Sequence, residues 1–160
     1  MNGKYISKIN DCNCELDKIK KWISKNKLDS NVKYLVSYSV IRCCGTIESI
    51  YKGMVFDYLS SGANKEVLNY LTRNILNSSS NPSCGKIESL LKSVNEDWAL
   101  EFKGRIKDRN EKIKLNSLVS LRNTFSHGGD ITSSIDDVIL FFESGEWILE
   151  QLYQCIYKST

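Results

Sequence analysis

The chain reads as all-α, and three observations carry that reading. Its 160 residues hold a single proline, Pro82, so long stretches lack the residue that most strongly breaks helices. Apolar residues recur at three- and four-residue steps along most of the length, the spacing that lines one face of a helix. Strict apolar–polar alternation, the mark of a half-buried strand, is sparse. The expected architecture is a helical bundle around a long central helix.

The elements follow in order. Leu16, Ile19 and Ile23 mark the apolar side of a first helix over roughly Asp11 to Lys25. Asp29, Ser30 and Asn31 offer cap residues for the next helix, which runs from about Val32 to Leu59. Val36, Val40, Cys43, Ile47, Ile50 and Met54 form its main stripe, and Ile41, Cys44, Tyr51, Val55 and Tyr58 a neighbouring one. A face that wide suits a central helix or one that also supports a two-fold dimer. Ser60 to Gly62 end it, and a third helix is expected over Lys65 to Leu76 with Val67, Leu68, Leu71 and Ile75 inward. Residues 77–83 form the clearest loop, since every residue type there favours turns. Ile87, Leu90, Leu91 and Val94 mark one short helix, and Trp98, Phe102 and Ile106 another. Leu115, Leu118, Leu121 and Phe125 stripe a sixth, closed by a left-handed cap at Gly128 or Gly129. The last helix spans roughly Ile135 to Tyr157, with Val138, Phe141, Phe142, Ile148, Leu152 and Ile156 facing the core.

The length fits one domain over residues 1–160. A net charge of +3 is compatible with a nucleic-acid partner without naming one. The N-terminus leads into no apolar run, and Arg42, Glu48, Lys52 and Asp57 interrupt the most apolar segment. A cytoplasmic protein with no membrane span is therefore expected. Six cysteines at 12, 14, 43, 44, 84 and 155 lack zinc-ligand spacing, and the expectation is buried thiols without disulfides.

The chemistry concentrates at Arg122-Asn123-Thr124-Phe125-Ser126-His127, followed by Gly128-Gly129. His127 is the single histidine of the chain. An imidazole that can take or give a proton, close to a fixed positive charge, is minimal equipment for cleaving a phosphodiester. Five helical residues turn Arg122 and His127 roughly 140° apart on an ideal helix. A shared site thus needs the long arginine side chain, an unwound last turn or a second subunit. The plain alternative is a histidine at a helix C-terminus, favoured there by the dipole. Glu48 lies inside the apolar face of the central helix and wants a partner. Either Lys52 at i+4 serves, or Glu48 holds Arg122 or the imidazole in place. Lys18, Lys21 and Lys25 surround Trp22, a combination able to bind single-stranded RNA through phosphates and stacking, though also that of a solvated helix face.

The run from Leu118 through Leu121, Arg122, Asn123 and His127 to Gly128 resembles the closing motif of HEPN-domain ribonucleases. The long helix around Ile41 to Leu59, with its acid at Glu48, resembles the early helix of the RiboL-PSP-type HEPN branch. The section from Asn81-Pro82 through Ile87 to Leu91, Trp98 and Phe102 resembles its middle part, so the resemblance covers about residues 32–130. It implies a dimerising helical bundle and a metal-independent endoribonuclease, often a toxin or antiviral effector with an antitoxin or defence partner protein. It also implies that Arg122 and His127 are the catalytic pair, with Asn123 as the polar residue after the arginine. No metal or other cofactor is expected. RNA supplies its own nucleophile in the 2′-hydroxyl, so a base, an acid and a phosphate grip suffice. Base and acid are two jobs and each chain has one histidine; a two-fold dimer that brings both His127 residues to one cleft solves this with no further residue type. The competing reading is a non-catalytic helical module that binds partners or nucleotides.

Overall fold

The computed structural model describes residues 1–157, and among them all regular structure is helical. The α-helices are α1 (Gly3–Lys25), α2 (Val32–Leu59), α3 (Lys65–Leu71), α4 (Cys84–Val94), α5 (Glu96–Arg105), α6 (Asn110–Ser126) and α7 (Ile135–Tyr157). A π-helical turn, Thr72–Leu76, continues α3.

Helix α2 is the centre: α1, α6 and α7 all pack on it, α6 and α7 pack on each other, and α4 and α5 form a pair joined to α6 and α7. Its main stripe from Val36 to Met54 is buried throughout, and so are Cys44, Tyr51 and Val55 of the second stripe. The width of that apolar face is therefore used mostly within the chain. Ile41 and Tyr58 depart from expectation and are exposed, although the Tyr58 ring meets Trp98 edge-on at 4.8 Å. One contact fixes how closely α7 can approach. A Cβ on Gly145 would sit 2.4 Å from Cδ1 of Ile47, so glycine lets the two helices touch there without displacing that side chain.

Local chemistry explains most boundaries. Helix α1 begins eight residues earlier than expected, because Asn2 caps it by accepting from the Tyr5 amide at 3.3 Å. Tyr5, Ile9 and Cys12 extend its buried stripe backwards. At α2, Asn31 occupies the cap position without a side-chain cap bond; Asp29 Oδ1 instead accepts from the Asn31 amide at 2.7 Å. The expected third helix is split. Thr72 Oγ1 bonds back to the Leu68 carbonyl at 2.8 Å, and the next turn closes as Asn77 N–H to Thr72 O at 3.0 Å. Leu71 and Ile75 face inward from this segment, whereas Val67 is exposed. Asn95 ends α4 and starts α5, its side chain accepting from the amides of Asp97 and Trp98. Ser134 and Asp137 cap α7 reciprocally, with amide-to-side-chain distances of 2.9 and 3.1 Å.

All six cysteines are free. Five are buried and behave as small core residues, while Cys14 is exposed. No helix among the described residues is long and apolar enough to cross a membrane.

Candidate functional site

Helix α6 presents Leu115, Leu118 and Val119 to the core, with Leu121 packed half-buried beside them. Arg122 and Asn123 are half-buried, and Phe125, expected on the inner stripe, is exposed with His127. The helix ends in a tight double cap. Gly129 N–H reaches the Thr124 carbonyl at 2.9 Å, and Gly128 N–H reaches that of Phe125 at 3.0 Å. Gly128 adopts φ +79°, the left-handed conformation that this cap demands and that glycine takes without strain. A Cβ on Gly129 would meet Thr124 Cγ2 at 2.7 Å, so both glycines are dictated by geometry. His127 is the cap residue itself. Among the described residues nothing hydrogen-bonds its imidazole, which stands at the surface.

Arg122 is held by a residue that sequence reasoning passed over. Its Nη1 donates to Oδ1 of Asn81, and Nδ2 of the same Asn81 donates to Oδ1 of Asn123 at 2.8 Å. One carboxamide thus ties the arginine and its neighbour to the 77–83 loop. Asn81 carried one signal: it precedes the only proline, and a residue in that position is restricted to extended conformations.

Glu48 does not reach Arg122 directly. It pairs with Lys52 at 2.5 Å and accepts from the Ser80 amide at 3.4 Å. Lys52, with a side chain only 5% exposed, also donates to the carbonyl of Ser78. This near-buried ion pair on α2 therefore anchors the loop that carries Asn81, and the link from Glu48 to Arg122 passes through that loop. Both charges are also felt at Cys44. Burial pushes its thiol up to about 12, Arg122 pulls it down and Glu48 pushes it up. Burial likewise raises Tyr51 to about 12, against a hydrogen bond with Ser80.

The basic patch of α1 is spread over its outer side. Lys18, Lys21 and Lys25 are all exposed, and Trp22 is exposed rather than a core residue. Among the described residues, no three His, Cys, Asp or Glu side chains come together in a way that could hold a metal ion.

A family model described as RiboL-PSP-HEPN matches residues 7–158. The chain belongs to this HEPN family. The match is wider than the resemblance over about 32–130, and it takes in α1 and α7. No curated protein and no solved structure gives a significant match. For a HEPN chain, the order of the parts now has a structural sense. The early helix α2 supplies the Glu48–Lys52 anchor, the middle loop supplies Asn81, and the closing motif on α6 supplies Arg122, Asn123 and His127.

Proposed function

We propose that this HEPN protein is a metal-independent endoribonuclease that cleaves single-stranded RNA by attack of the 2′-hydroxyl. The observation that carries the proposal is the end of α6. A guanidinium is pinned by Asn81 on a half-open face, and an unencumbered imidazole stands at the cap of the same helix. His127 takes the 2′-hydroxyl proton, and the same residue of a second chain protonates the leaving 5′-oxygen. Arg122 grips the phosphate, whose two free oxygens match the planar donor fork of arginine. The products are a 2′,3′-cyclic phosphate and a 5′-hydroxyl end, and DNA is spared for lack of the nucleophile. A two-fold dimer supplies the two imidazoles. Tyr38 and Ile41, exposed on the outer side of α2, support self-association there. Lys18, Lys21, Trp22 and Lys25 serve as RNA contacts on α1. A cytoplasmic toxin or defence effector, restrained by an antitoxin or a defence partner, is the biological role that fits such an activity.

The test is cleavage of a labelled single-stranded RNA by the pure protein in excess chelator. His127→Ala and Arg122→Ala should each abolish it while the fold survives, and a single 2′-deoxy substitution at the cut site should block it. A positioned acid–base group contributes about a hundred- to ten-thousandfold, so the histidine change is visible on any gel. A mixed dimer of one His127→Ala chain and one Arg122→Ala chain should stay nearly inactive if both histidines serve one cut. Full activity in either single variant removes the ribonuclease assignment and leaves a binding module.

A further inference from the structure

The exposed aromatic residues are not scattered. Trp22 on α1 and Tyr34 at the start of α2 line one groove of about 480 Å³, together with Lys18, Ile19, Asn31 and Leu35. Trp22 is 38% and Tyr34 60% exposed, so both rings offer accessible surface. Tyr34 also lines a second hollow with Lys33 and Phe125, the latter 37% exposed and two residues before His127. The two hollows share Tyr34 as a common wall, one lying on the basic side of α1 and the other reaching the end of α6. Lys33 Nζ stands 5.0 Å over the Tyr34 ring, and Lys18 lies at the other end. The first hollow contains no acid; the second contains Asp130, close to the α6 cap.

We infer that this track binds two or three nucleotides of single-stranded RNA flanking the scissile bond, with bases stacked on Trp22, Tyr34 and Phe125 and phosphates drawn to Lys18 and Lys33. Aromatic faces interleaved with lysines are what a single strand recognises, because every base has a π-face and every linkage a negative charge. The occupant is an anion rather than a second copy of this chain. A two-fold contact through this face would press one net-positive surface, with Lys18 and Lys33 against the single acid Asp130, onto its copy. The track selects for substrate form. A base-paired strand keeps its bases stacked inside the duplex, so unpaired RNA is bound and a duplex is not. The identity of the occupant rests on the ribonuclease reading, whereas the groove and its chemistry do not.

The experiment measures binding without cleavage. A His127→Ala chain is titrated with an unstructured 12-nucleotide RNA labelled at one end, and its anisotropy is followed together with tryptophan emission. Of the three tryptophans, Trp98 is buried and Trp147 half-buried, so the stacking signal belongs to Trp22. Emission should fall on binding. Trp22→Ala and Tyr34→Ala should each weaken binding about 5- to 150-fold, the range measured for losing one base–aromatic stack. Trp22→Phe should keep most of the affinity and lose the quench. The same RNA annealed to its complement should bind far less tightly. Affinities within twofold of the parent in both alanine variants overturn the inference. So does conversion of a dimer to monomers by those variants, which would mark the track as a contact between chains. If the unmodified protein cuts no RNA but stacking and its losses are observed, the groove stands and the ribonuclease reading falls.

Discussion

Asn81→Ala separates the positioning of Arg122 from its charge. The substitution removes one hydrogen bond to the guanidinium and one to the Asn123 carboxamide, the latter at 2.8 Å. A hydrogen bond to a charged group contributes about 1.5–3 kcal/mol net. Arg122 is half-buried, and water can replace part of that bond, so the stability loss should be near 1 kcal/mol. For a chain of this length that lowers Tm by about 2–4 °C. On the ribonuclease proposal, the catalytic loss should be larger. A freed arginine recovers up to about 2 kcal/mol of side-chain entropy, which must be surrendered again when it grips the phosphorane. That corresponds to about a 30-fold fall in kcat/KM, seen chiefly in kcat under single-turnover conditions with labelled RNA. In unfolding experiments the stability cost of Asn81→Ala should shrink in the Arg122→Ala background, because part of it is the bond to that residue. Asn81→Asp should do the opposite to stability and worse to activity, since a carboxylate pairs with the guanidinium and competes with phosphate. The reasoning fails if Asn81→Ala keeps kcat/KM within twofold of the parent. It also fails if the stability loss persists undiminished in the Arg122→Ala background.

Two further outcomes test the fold itself. Gly145→Ala forces a methyl to 2.4 Å from Ile47 Cδ1 in a fully buried contact, and overpacking of this kind costs about 1–3 kcal/mol. Adding Ile47→Val, which removes that Cδ1, should restore part of the loss in denaturant unfolding, and failure to do so would place the strain elsewhere. Glu15 is held below the usual carboxylate range by the hydroxyl of Tyr38 and then by Arg42. A depressed carboxyl stabilises the fold above its unfolded value of about 4.3, and that contribution fades as pH falls through the folded value. The pair is partly exposed and screened, so Glu15→Gln should cost less than about 1 kcal/mol at neutral pH, with the deficit shrinking at an acid pH below the folded value. A deficit equal at both pH values would show that the ion pair is not its source.

The helices were legible because burial leaves a period in the sequence. The α2 stripe from Val36 to Met54 is buried residue for residue, and α7 starts and ends where its pattern does. Legibility failed where a polar residue did a structural task. Asn2 starts α1 by capping the Tyr5 amide, a role apolar spacing does not mark, although Tyr5 and Ile9 continue the stripe. Thr72 changed the pitch of α3 through a bond to its own backbone, which apolar spacing cannot reveal. Phe125 looked inward by periodicity and is exposed, one residue before the end of α6.

At the candidate site the same divide has a physical cause. Arg122, Asn123 and His127 lie within six residues of one another, so their spacing can be read directly along the chain. Asn81 stands 41 residues before Arg122, in a loop whose every member favours turns, and its role appears only when folding brings the loop against α6. Glu48 sits between these cases. Its place on an apolar face signalled an unmet charge, and Lys52 at i+4 was visible as one partner. What spacing could not show is that this pair, nearly dry on the Lys52 side, spends its remaining hydrogen bonds on Ser78 and Ser80. A loop of serines and asparagines has little apolar surface with which to dock itself. Two backbone groups bound to a near-buried ion pair supply the fixed point instead, and Asn81 extends from it to Arg122. The orientation of the arginine thus leans on charge burial on α2, through the loop that carries Asn81.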